Sequence, residues 1–238
     1  MTRISLLDRL DPAPVLAEQR ARKVNFDPAE VDETWHHDEQ RASLGREAPG
    51  PPEPDGIWQT ACRLVAAYEQ ADPTRIRAVY DPDVPLHGRD MLLEGRFLVL
   101  RFYMGVRVTD VIDEQRDGDR LWGWAYDTLE GHLERGRMSY EVVKHEETGE
   151  VELVIKAYSE GAPTLGPFTT LGWKVFGRPS QLHFYRACGE RLARQVREHV
   201  GEHDPVPQRR VVEGLVLAPS DAAHRPHHRL AIRRHHPS

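Results

Sequence analysis

The spacing of apolar residues changes twice along the chain, and the changes divide it into elements. Residues 57–68 place Ile57, Ala61, Leu64, Val65 and Tyr68 at i, i+4, i+7, i+8 and i+11, one face of a helix. Pro54 or Asp55 opens it and Asp72-Pro73 ends it. From there the period falls to two, or the apolar residues run unbroken. Ile76–Tyr80 reads as a short strand, and Met91–Phe102 as one bent strand or two. Val106–Ile112, Leu121–Thr128 and Arg137–His145 continue the series, with turns at Arg116–Asp119 and Glu146–Gly149. In 151–158, Val151, Leu153, Ile155 and Ala157 alternate with Glu152, Lys156 and Tyr158, the pattern of a half-buried antiparallel strand. Helical spacing then returns. Pro179-Ser180 starts a long helix whose inner stripe is Leu182, Tyr185, Cys188, Leu192, Val196 and Val200, capped by Gly201. Pro167, Gly172 and Gly177 limit any helix before it to a turn or two.

Upstream, Ser5–Leu10 and Val15–Arg22 read as short helices, Trp35–Leu44 as a first strand, and the proline-rich 45–55 as a loop. An antiparallel sheet with one wet face must cover the other, and the amphipathic last helix is the natural cover. The expected fold is α+β: a curved antiparallel sheet packed on a long C-terminal helix. The domain spans 24–201, with an N-terminal extension at 1–23 and a basic, His-rich, disordered tail at 202–238.

Composition narrows the function classes. The net charge is −6, yet residues 207–238 carry six Arg against Glu213 and Asp221, so that tail is +4 and the remainder −10. An acidic domain is not a nucleic-acid binder. Cys62 and Cys188 lie far apart with no CxxC, which argues against a disulfide framework or zinc ribbon and fits a reducing cytoplasm. No apolar run is long enough for a signal peptide or a membrane span. His36 and His37 are adjacent and point to opposite faces of a strand, and no HExxH or Cys/His quartet occurs, so neither a metal nor another cofactor is expected. GxSxG and the phosphate-cradling GxxxxGK[ST] are also missing, which leaves nucleophilic catalysis without a motif.

One stretch is distinctive: Trp124-Ala-Tyr-Asp-Thr-Leu-Glu-Gly-His-Leu-Glu-Arg-Gly136. It resembles the signature of the DUF1990 (UPF0548) family, in which a strand ending Tyr-Gly-Thr-Leu leads into Gly-His-Pro-Glu-x-Gly-Glu. The matching positions are Tyr126, Thr128, Leu129, Gly131, His132, Glu134 and Gly136. Asn25-Phe26, His37-Asp38, Leu44-Gly45 and Ala157-Tyr158-Ser159 resemble other parts of the family, so the likeness covers about 24–200. The sequence departs from it at Asp127 (for Gly), Leu133 (for Pro), Arg137 and Met138 (for acidic residues) and Glu160-Gly161 (for Arg-Pro). The resemblance implies no settled activity. Its order of elements is similar to the START-like (SRPBCC) helix-grip proteins, which implies a cavity between sheet and last helix.

Two readings of the site follow. In the first, the protein is a binding module for an apolar or amphipathic small molecule. Trp122, Trp124, Tyr126, Tyr140 and Tyr158 are candidate wall residues, and Thr128 and His132 are polar anchors. In the second, an enzyme on the same scaffold (a cyclase, dehydratase or hydrolase) uses His132 as acid/base, with Glu134 or Tyr126 assisting and Asp127 near by. In both, 131–136 is first a tight polar connection, its glycines supplying positive φ or close backbone approach. Oligomeric state is not legible.

Overall fold

The computed structural model describes residues 3–6, 11–97, 100–161, 167–202, 209–210 and 214–223. Its elements run β1 (Arg3–Leu6), α1 (Pro12–Gln19), β2 (His36–Arg46), α2 (Ile57–Ala66), β3 (Ile76–Tyr80), β4 (Asp90–Phe97), β5 (Leu100–Arg116), β6 (Asp119–Thr128), β7 (Glu134–His145), β8 (Glu150–Gly161), α3 (Pro167–His199), β9 (Arg209–Arg210) and β10 (Val216–Ala218). The strands form one antiparallel sheet ordered β2-β8-β7-β6-β5-β4-β3-β10-β9, with β1 pairing off this path with the start of β5. From β4 to β8 each strand pairs with the next in sequence. Asp117 and Gly118 turn β5 into β6 with φ of 52° and 86°, the left-handed pair that a two-residue hairpin requires.

The register decides which residues meet. Trp124 lies opposite Tyr140, and Tyr140 opposite Ile155, so three consecutive strands bring these side chains to one face. That face, with Tyr126, Val142 and Leu153, packs against Leu64, Val65 and Tyr68 beside α2 and against Phe184, Tyr185, Cys188, Leu192 and Val196 of α3. The last helix therefore lies on the concave side of the sheet, as its spacing predicts. It comes close to β2 at Gly189, where a Cβ would stand 2.4 Å from that of Ala42. On the opposite face α1 covers one end through Val15 and Leu16, packed on Val79, Leu92, Tyr103 and Leu217.

Helix α2 is held at both ends. Its N-cap, Gly56, offers no side-chain cap. The orphan N–H of Trp58 instead donates to Oε1 of Glu47, at 2.7 Å, from just beyond β2. Oε2 of the same carboxylate accepts from the Glu53 N–H at 3.1 Å and from Lys144 Nζ at 2.6 Å. Lys144 also donates to the Pro51 carbonyl at 2.9 Å, and both side chains of the ion pair are almost wholly buried. At the other end Tyr68 N–H reaches Val65 O and Glu69 N–H reaches Leu64 O, the paired bonds of a Schellman cap. The residue taking the left-handed position is Tyr68, φ 61°, where glycine is usual. A buried tyrosine held there costs on the order of 1–3 kcal/mol of backbone strain.

Three expectations are corrected. Helix α3 begins at Pro167, not at Pro179, and runs through Gly172 and Gly177. Proline at a first helical position gives up only an N–H that would lack a partner, and each interior glycine is a cost of about 1 kcal/mol rather than a stop. The N-terminal extension is no appendage, since α1 seals part of the sheet. Nor is 202–238 all tail: β10 pairs with β3, and Val216, Leu217 and Ala218 are buried. A polar clamp fixes this return. The Arg191 guanidinium donates to both Asp221 oxygens at 2.9 and 3.0 Å, its Nε–H donates to Glu69 O at 2.7 Å, and the Ser220 N–H donates to Glu69 Oε1 at 2.7 Å. Burial raises the pKa of the Glu69 carboxyl. The His-rich stretch 224–238, proposed as a solvated tail, lies outside the described residues.

The Glu47–Lys144 pair yields a prediction. Lys144→Met leaves a buried carboxylate with no counter-ion, so urea unfolding is expected to show a loss of about 3–5 kcal/mol. A loss under 1 kcal/mol would mean that the pair is not what holds α2 to the sheet.

Candidate functional site

The β6–β7 connection is built by hydrogen bonds between its two arms. Thr128 Oγ1 accepts the Gly136 N–H at 2.9 Å and donates to Asn25 Oδ1 at 2.6 Å. Asn25 Nδ2 donates to the Glu134 carbonyl at 2.9 Å, and the Asn25 N–H to the Thr128 carbonyl at 3.1 Å. One asparagine from the N-terminal segment thus ties both arms together. Gly131 has φ 86°, a left-handed turn position that glycine occupies without strain. Gly136 is needed for space, since a Cβ there would stand 2.2 Å from the Tyr158 carbonyl oxygen across the β7–β8 ladder.

This frame fixes His132. The ring is buried, and Nδ1 accepts the backbone N–H of Glu134 at 3.0 Å. With that lone pair used, the hydrogen of the neutral ring sits on Nε2. Burial pushes the imidazole pKa from 6.5 down to about 4, so the ring is uncharged at neutral pH. It is the backbone of Glu134 that sets the tautomer.

His132 lines a cavity of about 40 Å³ at this end of the sheet, together with Tyr126, Thr128, Glu134 and Tyr158. Five residues singled out from the sequence therefore come together. Met138, Ala157 and Tyr185 complete the apolar wall. The volume is room for about three water-sized positions. Tyr126 donates its hydroxyl to Met138 Sδ at 3.4 Å. Thr128, with both functions of its hydroxyl engaged, serves as a pin of the loop. The Tyr158 ring sits edge-on to Phe26 and Trp35, at 5.9 and 6.1 Å.

Three predicted wall residues are placed elsewhere. Trp124 and Tyr140 are wholly buried in the core, where Trp124 Nε1–H donates to the Val65 carbonyl at 3.1 Å. The Tyr68 ring stands 6.0 Å from each of them and fills the space between sheet and α2. Trp122 is half-buried and packs on the same core. Asp127 leaves the site by parity: Tyr126 and Thr128 face inward, so Asp127 faces out. There it accepts from Thr109 Oγ1 at 2.8 Å and stands 3.9 Å from Arg137 Nε. Asn25, Met138 and Tyr185 were not assigned to the site by sequence, although Tyr185 was on the predicted inner stripe.

Among the described residues no three His, Cys, Asp or Glu side chains group as a metal site, and no helix is long and apolar enough to cross a membrane. Cys188 is buried and Cys62 half-buried, both as free thiols.

Comparison with known proteins gives one sequence match. The model of the family described as "Domain of unknown function (DUF1990)" matches residues 19–191. No curated protein matches. Among solved structures, the hypothetical protein jhp0584 from Helicobacter pylori is similar at 13% identity and TM-score 0.44, over 73% of this chain and 96% of that one. Ara h 8.0201 is similar at 11% identity and TM-score 0.38, over 69% and 99%. A Thalictrum norcoclaurine synthase point mutant in complex with a transition-state analogue is similar at 12% and 0.37, over 71% and 99%.

His132 gives the site a pH signature. In the unfolded chain the ring takes up a proton near pH 6.5, whereas in the fold it refuses one until about pH 4. Its contribution is thus complete above pH 6.5 and is lost as pH falls toward 4, by about 3 kcal/mol in all. His132→Asn keeps an acceptor for the Glu134 N–H without titrating. Urea unfolding at several pH values is expected to show wild type losing stability relative to this variant across that window. Parallel curves would mean that His132 is not buried as a neutral ring.

Proposed function

The chain belongs to the DUF1990 family, and within it we propose that this protein binds a small apolar or amphipathic molecule at the β6–β7 end of its sheet. The ligand's polar end enters beside His132, and its apolar body lies along Met138, Ala157 and Tyr185. The carrying observation is a buried, neutral histidine in the wall of a mostly apolar cavity: its Nδ1 is used by the chain itself, which leaves Nε2–H as the group it can offer. Apolar contact supplies the affinity, at roughly 25 cal/mol per Å² before association costs, and the imidazole supplies orientation.

The same geometry weighs against acid/base turnover by His132. A general base needs a free lone pair, and the neutral ring has given its own to the Glu134 N–H. A general acid needs the imidazolium, which burial confines to about pH 4 and below. In this tautomer the ring is a hydrogen-bond donor.

Native mass spectrometry of protein purified from its own host tests the reading. Wild type is expected to carry a small-molecule adduct that denaturation releases. Ala157→Leu adds side-chain carbons to the cavity wall and is expected to lower the retained fraction at least tenfold, about 1.4 kcal/mol, while remaining folded. Wild type that holds no adduct and binds no member of an apolar small-molecule library would end the proposal, as would equal retention by Ala157→Leu.

A further inference from the structure

The hydrogen-bonding groups around the cavity are unbalanced. His132 presents Nε2–H, a donor whose partner nitrogen is already engaged. Tyr126 presents O–H, for which the sulfur of Met138 at 3.4 Å is a weak acceptor. Behind Tyr126 lie two more phenols, Tyr140 and Tyr68, with ring centroids 6.4 Å from Tyr126 to Tyr140 and 6.0 Å from Tyr140 to Tyr68. Both hydroxyls are buried and meet no partner in good geometry, the Tyr140 hydroxyl lying only in loose reach of those of Tyr68 and Tyr126. Backbone carbonyls do not relieve this patch, although they do so for the neighbouring Tyr80 and Trp124, which donate to Ala67 O and Val65 O. Tyr68 is moreover held there against backbone strain, at φ 61°. A buried polar group left unmade costs about 1–3 kcal/mol. In the lining itself His132 Nε2–H and Tyr126 O–H are two donors, the acceptors beside them are the Met138 sulfur and Glu134, and Tyr140 and Tyr68 pack behind without lining the cavity.

From this juxtaposition we infer that the ligand's polar end is a neutral carbonyl oxygen, as in a ketone, ester, amide or quinone, received by the His132 Nε2–H and the Tyr126 O–H. The inference rests on the binding reading above and names its ligand class. A carbonyl oxygen has two lone pairs and no hydrogen, so it accepts both donors at once. An ammonium would have Glu134 as its acceptor but would meet the His132 and Tyr126 hydrogens with its own. A carboxylate would enter with no net charge to balance it, because Glu134 and Arg137 both line the cavity and Arg137 is already paired with Asp110 at 2.9 Å. The cavity of about 40 Å³ fits the carbonyl group itself, with the apolar body extending through the open side.

The test uses four compounds that share one apolar body: benzylacetone, butylbenzene, the primary-amine analogue of benzylacetone, and phenylbutyrate. Calorimetric titration of the full chain is expected to rank benzylacetone at least tenfold tighter than the other three. Infrared difference spectra are expected to show its carbonyl stretch moved to lower frequency on binding. Tyr126→Phe and His132→Phe are each expected to remove about tenfold of the ketone's preference over butylbenzene, measured on the same variant, and to move the stretch back. His132→Asn guards against a folding defect in His132→Phe, since it keeps the loop bond and removes the donor at Nε2. A preference for the amine or the carboxylate would overturn the carbonyl assignment while leaving the binding reading in place, as would a ketone preference that survives in Tyr126→Phe and His132→Asn. Failure of all four compounds to bind the wild type would overturn both.

Discussion

The buried carboxylate of Glu47 is the contact on which the interior depends. It accepts from Lys144 on β7, from the first turn of α2 and from the loop that leads from β2 into α2, so one side chain joins a strand, a helix end and a proline-rich connection. In a region of low dielectric such a carboxylate is tolerated only with its cation and its N–H donors all present. That requirement fixes where α2 begins, and the rigidity of a helix carries the placement about 15 Å, at 1.5 Å per residue, to its other end. There Tyr68 is delivered against Trp124 and Tyr140. These rings fill the space between α2 and the sheet, and a cavity of about 40 Å³ lies at the β6–β7 end.

Much of this order is legible in the sequence because periodicity reports one-sided burial. The alternation in 151–158 and the helical faces of 57–68 and 182–196 each require only a residue and its own element. The tight connection around Gly131 and Gly136 was legible for a similar reason, since glycine there answers a local backbone need. What periodicity cannot report is the third partner. Trp124, Tyr126 and Tyr140 share one inward face, and nothing in the strands distinguishes the two that are buried against Tyr68 from the one that borders a cavity. The outward placement of Asp127 was available from parity with Tyr126 and Thr128. The return of β10 to the sheet was not, because its anchor is a set of polar contacts among Arg191, Asp221, Glu69 and Ser220, and polar clamps leave no period in the chain.

The departures from the family pattern fall on different sides of the sheet, and this bears on what they change. Asp127, where the resemblance implies glycine, faces outward to Thr109 and Arg137, and so does Arg137 itself toward Asp110. These substitutions exchange charges on the outer face, although Arg137 also borders the cavity that His132 lines. Met138 is different: it replaces an acidic residue of the pattern and lines the cavity. A thioether in that place removes a strong acceptor from beside the Tyr126 hydroxyl and leaves a weak one.

A donor-rich interior has an energetic consequence for the empty protein. The Tyr68 and Tyr140 hydroxyls have given up water for no better partner than one another in loose geometry, and Tyr68 carries backbone strain as well. Phenylalanine at either position would keep the aromatic packing and shed the desolvated hydroxyl, so packing alone does not account for tyrosine at both. Local stability given up beside a cavity is the usual mark of a site arranged for something other than folding. The arrangement adjoins Tyr126, which shares its cavity with His132, the one buried imidazole among the described residues. Of the three phenols Tyr126 alone lines the cavity, so it is there, beside His132, that a ligand bearing an acceptor would meet the cluster.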